Sequence, residues 1–297
     1  MNISLALGGG GAKGNAHIGV LRRLGKEGFH IRAVAGTSFG GIVAVMYAAG
    51  YAPGEIEENF KHVNQKRLYS RDPCDGPSLL GIGGVRKWLD ETLGACTFGD
   101  LKLPCAVTAV DLKSGREVIL SEGPVKDALL ATSALPGIFP TQHLNEWELV
   151  DGGVLNPVPV SVARSLAPNL PVVAVVLSES LGSPAHAWWA PVPAFFPRQI
   201  ADRITQLSFA QAYDTFMRSI EIGNRAVTEY RLDVDKPEVV IRPAVTDIKL
   251  LDNVNVSDAA RRGEEAVEAI LPVLRAQVTW HRRLGRIIFG EKRKNDT

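Results

Sequence analysis

The sequence predicts an α/β protein with a parallel-rich central sheet covered by helices on both faces. Three observations carry this expectation. Short apolar runs at Ile3 to Leu7 and Ile31 to Ala35 each lead through glycines into residues with helical spacing. The first fifty residues therefore read β-α-β-α, the pattern of parallel strands joined by covering helices. Further on, Pro171 to Leu177 is apolar throughout, as a strand buried on both faces must be.

Taken in order, the first strand runs into Gly8 to Gly11. His17, Val20, Leu21 and Leu24 follow at spacings of three and four and predict a helix that Gly28 closes. The second strand reaches Gly36-Thr37-Ser38-Phe39-Gly40. Ile42, Val43, Val45, Met46 and Ala49 line the next helix, which Gly50 ends. Pro and Gly cluster between Ser70 and Gly84, which predicts a long loop. Leu103 to Leu112 and Glu117 to Leu120 read as a hairpin turning at Lys113-Ser114-Gly115-Arg116. A helix is expected from Pro124 to Thr132, with proline in its first turn. Glu146 to Val150 is a strand ending at Asp151-Gly152-Gly153, and Val158 to Leu166 is helical. Gly182 to Pro197 breaks the rhythm with Trp188, Trp189, Phe195 and Phe196 among prolines. Ile200, Ile204, Leu207, Tyr213, Phe216 and Ile220 trace a long amphipathic helix. Val239 to Ile241 is a last strand, and Ser257 is the expected cap of a final helix carrying Ala266, Ile270 and Leu274.

Composition narrows the classes. With 45% apolar and 22% charged residues, the 297-residue chain has ordinary globular character. A net charge of +1 gives no general pull toward nucleic acid. Cys74, Cys96 and Cys105 match no zinc spacing, so neither a metal site nor a disulfide framework is expected. No run approaches the roughly 20 apolar residues of a membrane span. No signal-peptide pattern opens the chain, and the expectation is a cytoplasmic protein able to dock on a membrane surface.

Three glycine-containing motifs carry the chemistry. Gly9-Gly10-Gly11-Ala12-Lys13-Gly14 lets backbone N–H groups converge on a small anion at a helix start. As a dinucleotide motif it is weak, because Gly36-Thr37-Ser38 stands where an acidic residue is wanted. It is no Walker loop either, since Lys13 precedes the last glycine and Asn15 follows it. Gly36 to Gly40 is a GxSxG between an apolar strand and a helix, the setting of a nucleophile elbow. The plainer reading of Ser38 is a helix N-cap. Asp151-Gly152-Gly153 places a carboxylate at a strand end, where sites gather in parallel α/β sheets. Its plainer reading is an ordinary Asp-Gly turn. Together the three provide a nucleophile, a base and N–H donors for an oxyanion. A histidine is missing from this set: after Asp151 only His186 and His281 remain, one in the aromatic segment and one in the basic tail.

These motifs, in this order, resemble the bacterial patatin-like phospholipase family. That family carries GGGx[RK]G, then GxSxG, then DG[GA], and Ser133 to Pro140 resembles its segment before the aspartate. The likeness spans about residues 3 to 180. It implies a three-layer α/β/α fold, a lipid or acyl-ester substrate, no cofactor and a Ser38–Asp151 dyad, so that the absent histidine is expected. It further implies an oxyanion hole at Gly9, Gly10, Gly11 and Ala12, supported by Lys13, Gly14, Gly36, Gly40, Gly152 and Gly153. Lys13 stands where many members have arginine and keeps the cation. Leu130 stands where many members have arginine just before the Ala-Ser pair, so the lipid-phosphate contact that arginine would make is not expected here.

On this reading residues 1–180 form the catalytic core, 181–280 an aromatic and helical completion of the same domain, and 281–297 a basic tail. Two other functions compete with ester hydrolysis. One is nucleotide or phosphate binding by the glycine loop, and the other is a regulatory role on a hydrolase-like fold. The oligomeric state is left open.

Overall fold

The computed structural model describes residues 1–73, 75–181 and 208–279. An eight-stranded mixed sheet forms its middle layer. The elements are β1 (Asn2–Leu7), α1 (Ala16–Lys26), β2 (His30–Thr37), α2 (Phe39–Ala49), α3 (Pro53–Lys61), α4 (Gln65–Leu68) and α5 (Gly83–Leu93). They continue as β3 (Cys105–Asp111), β4 (Arg116–Leu120), α6 (Val125–Thr132), β5 (Gln142–Leu144), β6 (Trp147–Asp151), α7 (Val160–Leu166) and β7 (Val172–Val175). The last are α8 (Ser208–Asp235), β8 (Val239–Ile241) and α9 (Val256–Val278).

The strand order is β5-β6-β3-β2-β1-β7-β8, with β4 pairing the other edge of β3. Five strands, β3-β2-β1-β7-β8, run parallel. Alternation along β1 sorts the two faces. Ile3, Leu5 and Leu7 join the larger core with Val20, Leu24, Val43 and Val267. Ala6 looks the other way, into a core with Ala35, Ala106, Val160 and Leu232. Small residues on that second face let α7 sit close, and the Ser4 hydroxyl donates to the Ala163 carbonyl at 2.7 Å.

One feature of the sheet positions the site. β2 pairs with β3 from Cys105 to Thr108, ending with Thr37 opposite Thr108. β6, running the other way, pairs with β3 from Asp111 to Ala109, ending with Asp151 opposite Ala109. Because β4 holds the far edge of β3, β2 and β6 share the near edge and meet head to head. The two strand ends that carry Ser38 and Asp151 therefore abut.

The structure departs from the sequence reading in places. Helices α3, α4 and α5 were not legible, and the expected loop from Ser70 ends at Gly83, where α5 begins. Residues 53–61 mix Glu, Asn and Lys so evenly that only Ile56 and Glu57 of α3 are buried, leaving little apolar period to read. Strand β5, three residues long, pairs with β6 across a turn with Asn145 at φ +53°. Ser257 does not cap the last helix. Asn255 is the cap, accepting from the Asp258 N–H at 3.1 Å, and Ser257 bonds Glu57 instead. Ile200, Ile204, Leu207, Cys74, the aromatic segment and the basic tail lie outside the described residues. Among the described residues no helix is long and apolar enough to cross a membrane.

Candidate active site

Ser38 sits between β2 and α2 at φ +55° and ψ −129°, a conformation rare for a residue with a side chain. Strain of this kind persists only where the surroundings impose it. The flanking glycines allow it. A Cβ on Gly36 would lie 2.4 Å from the Gly40 carbonyl oxygen, and one on Gly40 2.4 Å from that of Leu7. Below the elbow, the buried Thr37 hydroxyl meets Thr108 Oγ1 at 2.8 Å and the Asn156 carbonyl at 2.9 Å. The Ser38 side chain makes no capping bond to α2, which removes the plain helix-cap reading. Its backbone N–H donates to Thr132 Oγ1 at 2.8 Å.

Asp151 ends β6 and is buried. Its carboxyl lies beside the Ser38 side chain at the floor of one cavity and accepts from the Gly153 N–H at 2.7 Å. Burial raises its pKa to about 6, against the opposing pull of the neighbouring Ser38 hydroxyl and the Gly153 N–H. Gly152 and Gly153 form a single 3-10 turn with Val154. Asn224 of α8 pins the turn by donating to the Gly153 carbonyl at 3.1 Å. The plain turn reading of Asp151 is therefore half right, since the carboxyl caps its own turn while it faces the serine.

The glycine loop narrows the expected set of four N–H donors. The Gly9 N–H is held by the Pro157 carbonyl at 2.9 Å, and the Ala12 N–H by that of Leu250 at 2.8 Å. Those two groups are already occupied, so Gly9 and Ala12 shape the loop. The Gly10 and Gly11 N–H groups have no acceptor among the described residues. Gly11 must be glycine: its φ is +55°, and a Cβ there would lie 2.2 Å from the Leu250 carbonyl oxygen. Gly14 packs directly beneath the Phe39 ring. His17, on the buried face of α1, meets the Gly8 carbonyl through Nε2 at 2.8 Å. Burial lowers its pKa to about 4, so it is neutral at pH 7.

A cavity of about 940 Å³ joins Ser38, Asp151 and the loop. One half is apolar, with Phe39, Phe60 and Trp88 stacked at centroid distances of 4.8 and 5.3 Å. The other half is polar. There buried Arg225 bridges Glu179 at 3.1 Å and Glu221 at 3.0 Å. Lys13 lies at the same end. Burial lowers its pKa, partly offset by the negative charge of Glu221. No histidine lines the cavity among the described residues, while His186 and His281 lie outside them. Among the described residues no cluster of acidic, His or Cys side chains is placed to hold a metal.

Sequence reasoning missed Thr132, Leu250, Asn224 and the Arg225 cluster. Thr132, Leu250 and Asn224 act through hydrogen bonds to residues distant in sequence, Arg225 pairs with Glu179 46 residues away, and none belongs to a local motif. Only His17 carried a signal, a polar residue on the apolar stripe of α1.

A strained serine elbow, a buried carboxyl beside it and two open amides meet at strand ends of a three-layer α/β sheet. The chain belongs to the patatin-like phospholipase family, whose model matches residues 5–164. An uncharacterized NTE family protein of Mycobacterium tuberculosis is 34% identical over 188 residues, covering 62% of this chain and 51% of that protein. A second from the same organism is 26% identical over 278 residues, covering 91% and 46%. The chain thus spans about half the length of these relatives. The mouse patatin-like phospholipase domain-containing protein 6 is 23% identical over 271 residues, covering 84% of this chain and 19% of that one. The crystal structure of VipD from Legionella pneumophila superposes with a TM-score of 0.53 at 12% identity, covering 92% of this chain and 66% of that one, a likeness of fold.

Proposed function

We propose that this chain hydrolyses acyl esters of lipids, with Ser38 as nucleophile and Asp151 as its base. The observation that carries the reading is Ser38 itself. It is held at a strained φ, its hydroxyl is free of capping, and its side chain lies beside a buried carboxyl in the same cavity. The acyl chain lies in the apolar half of the cavity, along Phe39, Phe60 and Trp88. The ester carbonyl oxygen points at the Gly10 and Gly11 amides. Asp151 takes the Ser38 proton as Oγ attacks, and the amides hold the developing oxyanion. Collapse expels the alcohol, which takes the proton back from Asp151. Water then attacks the acyl-serine, with Asp151 again accepting the proton, and free acid and Ser38 are released. A base must titrate near the working pH, and a pKa of about 6 suits Asp151 far better than an ordinary aspartate value.

With only two open amides in the loop, the geometry favours a single oxyanion over a phosphate cradle, which disfavours nucleotide binding. The test uses p-nitrophenyl butyrate and a fluorophosphonate probe on wild type, Ser38→Ala and Asp151→Asn. Wild type should turn over and label. Both variants should lose about a thousandfold or more of kcat/KM while keeping native circular dichroism, and Ser38→Ala should not label. Undiminished hydrolysis by folded Ser38→Ala would falsify the assignment.

A further inference from the structure

The structure assigns Thr132 as the positioning residue that holds the nucleophile in its strained conformation, an inference that rests on Ser38 being the nucleophile. Thr132 is the last residue of α6 and is fully buried. Its Oγ1 accepts the Ser38 N–H at 2.8 Å, across 94 residues of sequence. Its methyl lies against Gly41 in the first turn of α2, 3.2 Å from where a Cβ on that glycine would sit. One side chain thus touches the elbow at two points, on the residue that is strained and on the helix that follows it.

The same turn also reaches the base. Two residues after Thr132, the Ala134 carbonyl accepts the Asp151 N–H at 2.9 Å. Residues 132–134 therefore tie the backbone of the nucleophile and that of its partner to one short segment. A relative shift of serine and carboxyl must break one of these two bonds. The Thr132 bond has a second consequence: it keeps the Ser38 N–H away from the oxyanion, whose donors remain the loop amides.

Why threonine suits the position follows from the parts. A hydroxyl is needed as acceptor, and a bare amide in a buried elbow has no good alternative. Valine has nearly the same shape and no acceptor, so Thr132→Val removes the bond with little change in packing. Thr132→Ser keeps the acceptor and loses the methyl. A positioning role predicts that these variants separate.

The experiment measures kcat and KM for p-nitrophenyl butyrate, the fluorophosphonate labelling rate and the melting temperature. Wild type, Thr132→Val, Thr132→Ser and Ser38→Ala are compared. Rates are referred to molecules titrated as folded by circular dichroism. Thr132→Val should lose about ten- to a hundredfold in kcat and in labelling rate, the scale of a small misplacement of reacting groups. Its KM should stay within about threefold, since the cavity wall is untouched. Thr132→Ser should recover most of kcat. Equal loss in the valine and serine variants, tracking melting temperature, would show that the side chain only packs. Wild-type kcat in Thr132→Val beside an inactive Ser38→Ala would overturn this role alone. An active Ser38→Ala would instead remove the nucleophile assignment beneath it.

Discussion

Asp151 and His17 are both buried, yet burial moves their titrations toward each other from opposite sides. The Asp151 pKa rises from 3.8 to about 6 and that of His17 falls from 6.5 to about 4. Between these limits the native state binds more protons than the unfolded chain at Asp151 and fewer at His17. Stability therefore falls with rising pH at the first and grows with rising pH at the second. Each shift corresponds to about 3 kcal/mol over its full range, and acidification from pH 7 to pH 5 sets one effect against the other. We expect wild type to change little in that window. Asp151→Asn, left with the histidine effect alone, should lose roughly 2 kcal/mol on the same change, read by urea unfolding at the two pH values. At pH 8 the same variant should be more stable than wild type, because the cost of burying the ionised carboxylate is gone. Equal pH slopes for the two proteins would contradict the burial argument. Activity should follow the carboxylate, with kcat/KM rising through about pH 6 to a plateau.

At the scale of elements, the tightest contact is between helices far apart in sequence. A Cβ on Gly19 of α1 would lie 1.6 Å from the Ala260 carbonyl oxygen, and one on Gly263 of α9 2.0 Å from that of Ala16. The two backbones touch where small residues face each other, so neither helix can retreat alone. Gly19→Ala and Gly263→Ala should each destabilise by about 1 to 3 kcal/mol in urea melts, despite alanine's better helix propensity. A gain in stability would mean that the two helices part far enough to admit the methyl group. The elements that sequence patterns revealed are those with local signals. Glycines close α1 and α2, an apolar run marks β7, and the motifs sit at strand ends. What stayed hidden depends on partners distant in sequence. Nothing in Trp147 to Asp151 says that β6 runs antiparallel to β3 and meets β2 end to end. Likewise the Gly9 and Ala12 amides look as open as those of Gly10 and Gly11 until Pro157 and Leu250 are placed against them.

At the scale of the molecule, the family match ends at residue 164 while the sheet and its cover do not. β7 lies between β1 and β8, Asn224 of α8 pins the turn after Asp151, and α9 covers α1. We expect residues 1–180 expressed alone to be insoluble or to melt without a cooperative transition, whereas residues 1–279 should melt cooperatively and label with fluorophosphonate. A soluble, active 1–180 fragment would show that the later elements are ornament. The helix crossing also bears on how the protein is made. Gly19 and Gly263 are separated by about 240 residues. A ribosome adding roughly 5 to 20 residues per second needs about 10 to 50 s to supply the second once the first is out. For that interval the glycine face of α1, prepared for a backbone and not for water, has nothing to rest on, and the nascent chain must be kept from finding a neighbour's helix instead of its own.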